Sequence, residues 1–198
     1  MGHVTLVGTR EASREEFLLM VELGMYLRYS LGISGRSGKA PGSDQAWQRG
    51  LEFGDLLRGN PGEHQIFKAW KRFETPTALV SDNFDITPYD DTDKGEYEKA
   101  RSIAAGIHPA WDRLSTGAKL LHTRNVYQVL GPYLTEPSMA CLYCGDDDKH
   151  GIPKGGTRTA VLLAKQYEIP YLNIRGKNKQ DIIKWIYSVC IKGIKTSN

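Results

Sequence analysis

His3-Val4-Thr5-Leu6-Val7-Gly8-Thr9-Arg10-Glu11-Ala12-Ser13-Arg14-Glu15-Glu16 carries the chain from a short apolar run, through a glycine turn, into a helix start. The run from His3 to Val7 has the length and composition of a strand, and Gly8-Thr9-Arg10 closes it in a polar turn. Ser13 stands three residues before Glu16. That spacing is a capping box, in which the hydroxyl accepts from the amide of residue 16 and the Glu16 carboxylate accepts in return from the amide of Ser13. Phe17, Leu18, Val21, Met25 and Leu27 follow at roughly helical spacing.

The same order repeats downstream. Leu31 to Ser34 reads as a second strand that runs into a second glycine-rich turn, Gly35-Arg36-Ser37-Gly38. Pro41-Gly42-Ser43-Asp44 then opens a helix through Ala46, Trp47, Leu51 and Leu56, with Ser43 or Asp44 as its cap. Gln65 to Ala69 reads as a third strand. Strand, helix, strand, helix, strand is the signature of a parallel sheet with helices on its faces. The expectation is an α/β chain, a Rossmann-like three-layer sandwich with a mostly parallel central sheet, in one domain over 1–198.

Residues 74–95 interrupt the alternation with Pro76, Pro88 and the acidic run Asp90, Asp91, Asp93, and read as a surface loop that could serve as a lid. Helices are expected over 96–105 and 116–130, the latter stopped by Gly131-Pro132. A strand over 139–144, a loop over 146–156, a helix over 157–167, a strand over 171–174 and a helix over 180–191 complete the chain.

Bulk composition narrows the functional classes. The chain has 198 residues, 40% hydrophobic and 25% charged, which excludes a largely disordered protein. Its formal net charge of +3 suits an anionic small ligand and falls short of the dense Lys/Arg stripe of a dedicated nucleic-acid binder. Three cysteines, an odd number without scaffold spacing, argue against a secreted disulfide framework. No apolar run reaches the length of a membrane span, and the first residues lack the basic and apolar regions of a signal peptide, so a cytoplasmic protein without a membrane partner is expected. Leu6 stands where a myristoylation motif would need Ser or Thr.

Three segments lie where strands are expected to give way to helices: Gly8-Thr9-Arg10, Ser34-Gly35-Arg36-Ser37-Gly38 and Gly155-Gly156-Thr157-Arg158-Thr159. In an open parallel sheet those ends form the ligand crevice. Glycine lets a phosphate approach the backbone, and helix N-termini favour anions. Thr157 and Thr159 add hydroxyl donors, and Arg10, Arg36 or Arg158 a full charge. Asp146, Asp147 and Asp148 sit at another strand end, where a carboxylate could stabilise a cationic sugar or hold Mg²⁺ through water; a solvated, capped loop explains them as well. Asp44 is either a helix cap or an acceptor for ribose hydroxyls. Cys141-Leu142-Tyr143-Cys144 has zinc-knuckle or redox spacing, but on a strand residues three apart point to opposite faces, which favours two buried structural thiols. His108, His122 and His150 show no metal spacing, and Trp70, Phe73 and Trp111 could stack on a base or line the core, with core positions favoured.

At these residues the chain resembles the SLOG superfamily, which groups the DNA-processing protein DprA with the LOG nucleotide phosphoribohydrolases. Ile33-Ser34-Gly35-Arg36-Ser37-Gly38 through Gly42-Ser43-Asp44-Gln45-Ala46 is similar to the first glycine loop of the superfamily. His122-Thr123-Arg124-Asn125 looks like the LOG His-x-Arg-Lys motif, and Pro153-Lys154-Gly155-Gly156-Thr157-Arg158-Thr159 looks like its second loop, Pro-Gly-Gly-x-Gly-Thr-x-x-Glu. Arg124 through Gly131 is also similar to DprA-like proteins common in phages, which would place the chain in a host cytoplasm. The resemblance implies a phosphate-bearing nucleotide or nucleoside derivative as ligand, with Arg124 and Asn125 among its contacts, and catalytic roles for Arg124 and a carboxylate. Leu162 falls at the catalytic Glu position, and Arg158 replaces a glycine. Asp146 is therefore the substitute acid expected from sequence.

Three functions follow as expectations. The first is a binder that senses or sequesters a nucleotide, or processes it. The second is a phosphoribohydrolase or N-glycosidase of LOG type. The third, ranked below them, is a DprA-like DNA-binding protein, since only Lys177, Lys179, Lys184, Lys192 and Lys195 form a dense basic group. The LOG resemblance also implies a homodimer or higher homo-oligomer. The terminal helix, with Ile182, Ile183, Ile186 and Val189, could supply its interface or simply pack on its own sheet.

Overall fold

A computed structural model describes residues 2–73 and 85–193. Six strands form one sheet in which every pairing is parallel: β1 (His3–Gly8), β2 (Ser34–Gly38), β3 (Gln65–Phe67), β4 (Asp85–Ile86), β5 (Ala140–Cys144) and β6 (Tyr171–Asn173). Their order is β4-β3-β2-β1-β5-β6. The chain steps outward from β1 to β4, returns to the other side of β1, and continues to β6. The order therefore reverses between β1 and β5, whose last paired residues are Gly8 and Cys144.

Alternation along the central strands decides which helices cover which face. Val4 and Leu6 of β1 and Ala140, Leu142 and Cys144 of β5 pack with α1 (Arg14–Met25), α2 (Ser43–Arg58) and α7 (Lys179–Cys190). Val7, Cys141 and Tyr143 point the other way, into a core built with α4 (Lys94–Ile107), α5 (Thr116–Leu130) and α6 (Thr157–Gln166). The result is the expected three-layer α/β sandwich. Cys141 and Cys144 lie in different cores and are free thiols, so they do not meet, and burial pushes their pKa values up to about 12 and about 11. The capping box of α1 forms as expected, with the Glu16 amide donating to Ser13 Oγ at 3.2 Å and the Ser13 amide donating to Glu16 Oε2 at 2.8 Å.

Two expectations are corrected. Ser34-Gly35-Arg36-Ser37-Gly38 is not a turn that follows a strand; it is β2 itself, buried throughout, and Leu31 to Ile33 lead into it from a π-helical turn at Tyr26–Ser30. Gly and Ser are weak strand formers, but the layer above leaves room for little else. A Cβ on Gly35 would come within 2.5 Å of the Leu51 side chain on α2 and 2.8 Å of that of Leu6. Close packing in a central strand overrides local propensity. The second correction concerns 74–95. Residues 74–84 lie outside the described residues, but 85–95 is no loop: it holds β4, the single turn α3 (Pro88–Asp91) with proline at its start, and the beginning of α4 under an Asp93 cap.

Candidate ligand-binding crevice

A cavity of about 470 Å³ opens where the strand order reverses, at the carboxyl ends of β1 and β5. This is the position at which open α/β sheets bind ligands. Its walls come from the β1–α1 turn, the start of α2, one face of α5 and the start of α6.

The first wall is Gly8-Thr9-Arg10. Gly8 is required by a close approach, since a Cβ there would lie 2.5 Å from both the Cys144 carbonyl and Ser43 Oγ. The turn is stitched to its neighbours: the Thr9 amide donates to the Cys144 carbonyl at 2.8 Å, and Thr9 accepts at its carbonyl from the Ser43 amide at 3.0 Å. Thr9 thus shapes the wall, and Arg10 stands exposed at the rim. Gly42, in the left-handed region at φ 81°, packs against the Arg10 main chain before α2 begins, and a Cβ there would lie 2.5 Å from the Arg10 carbonyl oxygen.

Asp44, in the first turn of α2, faces the cavity and is buried. Its Oδ2 accepts from the Ala40 amide at 3.3 Å and lies 3.6 Å from Arg124 Nη1. Burial raises its pKa to about 6 against the opposing pull of Arg124. Arg124 crosses the end of β2, where a Cβ on Gly38 would overlap its guanidinium, and donates to the Phe67 carbonyl at 3.2 Å. Burial lowers its pKa, chiefly by removing water from the charge. Asn125 ties α5 to the opposite wall by donating to the Gly156 carbonyl at 2.6 Å. His122 Nδ1 lies 2.7 Å from Thr159 Oγ1 and its ring packs 4.6 Å from that of His108. Burial, with His108 and Arg124 adding to it, lowers its pKa to about 4, so the imidazole is neutral at neutral pH.

The last wall is a hairpin-like loop that ends in α6. Asp147 bridges Pro153, the Asp148 amide donates to the Ile152 carbonyl at 2.8 Å, and the Lys154 amide donates to the Asp146 carbonyl at 3.0 Å. These bonds deliver Lys154, Gly155, Gly156 and Thr157 to the cavity. The N-cap of α6 is Gly156, which makes no side-chain cap, so the helix terminus faces the cavity with its positive dipole end uncovered by a side-chain acceptor.

Of the residues expected from sequence, Gly8, Thr9, Arg10, Asp44, Arg124, Asn125, Asp146, Gly155, Gly156 and Thr157 line this one cavity. Ser34, Gly35, Arg36 and Ser37 do not, because they lie within β2. The Gly35 amide donates to His64 Nδ1 at 3.1 Å, Ser37 Oγ to the Leu6 carbonyl at 2.7 Å, and Ser34 Oγ accepts from the Glu63 amide at 3.0 Å. Arg36 reaches away from the crevice to Gln65 Oε1 at 2.7 Å and to the Glu136 main chain. Gly38 meets the site only as the floor beneath Arg124. Arg158 pairs with Asp148 at 3.1 Å, and Thr159 is engaged with His122, so neither lines the cavity.

Asp146 lines the rim, but its carboxylate pairs with Arg175 at 2.6 Å and is 72% exposed. Asp147 accepts from Tyr143 and Asn173, and Asp148 caps its own loop. The three aspartates are thus engaged within their own loop and with its neighbours, and the buried carboxylate among the residues that line the cavity is Asp44. Among the described residues no group of three or more His, Cys, Asp or Glu side chains could hold a metal ion. Sequence reasoning passed over Gln128 and Lys154, both of which line the cavity; the spacing of Gln128 four residues after Arg124 was the available signal for the first.

No family model, no curated protein and no solved structure matches the chain. No described helix is long and apolar enough to cross a membrane.

Proposed function

We propose that the chain binds a phosphate-bearing nucleotide or nucleoside derivative in the crevice between β1 and β5. One observation carries this: a cavity of about 470 Å³ at the point of strand reversal joins the uncapped start of α6 to the buried guanidinium of Arg124. The α6 terminus, with exposed Arg10 and Lys154 beside it, supplies donors and positive charge for phosphate. Arg124 and Asp44 lie deeper, within reach of the nucleoside end. The volume falls in the range of small-ligand sites.

Calorimetric titration of the full chain with nucleoside mono-, di- and triphosphates tests the proposal. Saturable binding that weakens about tenfold in a Lys154→Ala, Arg10→Ala double variant is expected. No heat with any nucleotide would overturn it. A second proposal, N-glycosidic cleavage, has support from one feature: Asp44 is a buried carboxylate that lines the cavity with its pKa raised to about 6, where it could protonate a leaving base. Chromatography of the ligand recovered after incubation separates the two, since intact nucleotide marks a binder and free base marks an enzyme.

A further inference from the structure

Gln128 follows Arg124 by one helical turn on α5, so both side chains leave the same face, and both line the crevice. Gln128 is fully buried, at 0% exposure. Among the described residues neither its amide nitrogen nor its amide oxygen finds a hydrogen-bond partner, and the same holds for the buried Nε of Arg124. The main chain at this point is pinned, because the Gln128 carbonyl accepts from Thr5 Oγ1 at 2.7 Å and from Ser138 Oγ at 3.3 Å. Buried polar groups are normally satisfied. Three orphaned atoms on two residues that line one cavity, beside an Asp44 carboxylate that accepts one long hydrogen bond at 3.3 Å and pairs with Arg124 at 3.6 Å, mark a place shaped for a partner that supplies what the protein withholds.

The chemistry of that partner follows from the mixture of groups. Arg124 Nε and the Gln128 nitrogen donate; Gln128 Oε1 and the Asp44 carboxylate accept. A phosphate only accepts and would face the charge of Asp44. An apolar group would leave every one of these atoms unmet. A hydroxyl donates once and accepts twice, so a vicinal pair of hydroxyls can meet donors and acceptors together. The rim, in contrast, offers the α6 terminus, Arg10 and Lys154, which suits phosphate. The cavity lining is thus polarised, with cationic groups at the exposed rim and mixed donors and acceptors on its buried residues.

We propose that Gln128 is a specificity-determining residue which, with Arg124 and Asp44, reads the vicinal sugar hydroxyls of a ribonucleotide. The assignment rests on nucleotide binding in the crevice and adds the discrimination of ribose from deoxyribose. The test is calorimetric titration of the full chain with the four ribonucleoside 5′-monophosphates and their 2′-deoxy counterparts. Wild type is expected to favour at least one ribonucleotide over its deoxy counterpart by about 10- to 100-fold, because a site built around a hydroxyl leaves its polar atoms unmet when that hydroxyl is missing. In Gln128→Leu the ribonucleotide should fall toward the affinity of the deoxynucleotide, which itself holds, while the melting temperature does not drop. If leucine prevents folding, Gln128→Met carries the same comparison. Equal affinity for the two sugar series in wild type, or a preference that survives loss of the amide, overturns the role of Gln128 and leaves nucleotide binding standing. Failure of every monophosphate in both series overturns the two together.

Discussion

Among the described residues two buried constellations of arginine, aspartate and histidine stand out, and they are built on opposite plans. Beneath the starts of β2 and β3, Arg28 pairs with Asp55, and its Nη2 donates to the Asn60 main-chain carbonyl and to Asn60 Oδ1, both at 3.0 Å. Asp55 also accepts from the Gly62 amide at 2.8 Å and lies 3.1 Å from His64 Nε2. His64 Nδ1 in turn accepts from the Gly35 amide of β2, which fixes its neutral tautomer with the proton on Nε2. At the other end of the strands, Arg124, Asp44 and His122 share a cavity, the ion pair is stretched to 3.6 Å, and Arg124 Nε is unmet. Identical side-chain chemistry makes a clasp where its valences are used, and a receptor where some are left open.

The largest effect should come from breaking the clasp. Asp55→Ala leaves Arg28 buried without its counter-charge and His64 without its acceptor, and should cost about 3–5 kcal/mol in urea unfolding. Nucleotide affinity of the folded fraction should not change. A loss below about 1 kcal/mol would show that the two constellations do not differ as described.

Replacing the crevice pair should behave in the opposite way. Asp44→Leu with Arg124→Met removes two desolvated charges that hold each other poorly, and such replacements range from neutral to about 1–4 kcal/mol stabilising. Nucleotide binding should vanish. Arg124→Met alone should destabilise, because Asp44 then stays buried with no cation beside it. A double variant as unstable as Asp55→Ala would sharpen the comparison against us, since the crevice pair would then be structural too.

The legibility of these two regions from sequence differed for physical reasons. Patterns with a local cause were readable: the Ser13–Glu16 capping box, the helix over 116–130 with its glycine stop, and the strand–helix alternation behind the parallel sheet. β2 was misplaced because Ser34-Gly35-Arg36-Ser37-Gly38 carries turn residues, and only the approach of Leu51 from α2 explains the glycine at 35. Arg36 was counted as a phosphate ligand for the same reason, although strand alternation turns it toward Glu136. The crevice itself was half visible. Its glycine turns and Arg124 stand out by type, but nothing local reveals that Arg175, twenty-nine residues on, pairs with the Asp146 carboxylate. Gln128 carries no signal of type at all. A glutamine in mid-helix is ordinary on a surface, and its burial is set by the packing of α5 on β1.

The smallest expected effect lies in the pH dependence of the crevice, where two titrations oppose each other. The pKa of His122 is lowered from 6.5 to about 4 by burial, so its stabilising contribution is intact above pH 6.5 and is lost as pH falls toward 4. The pKa of Asp44 is raised from 3.8 to about 6 by burial, so its contribution has the reverse sign: present below pH 3.8, lost as pH rises through 6. Between pH 6.5 and 4 the crevice loses stability at His122 while it regains stability at Asp44, so the two contributions oppose each other within the crevice. His64, also lowered by burial, loses in the same direction as His122, with the adjacent Asp55 carboxylate pulling the other way. His122→Phe removes one side of the crevice balance. Its urea-unfolding free energy should therefore fall less than that of wild type between pH 6.5 and 4, by about 1–2 kcal/mol. Equal falls in the two proteins would mean that His122 takes up its proton in the folded state as readily as in the unfolded chain, so that burial does not lower its pKa.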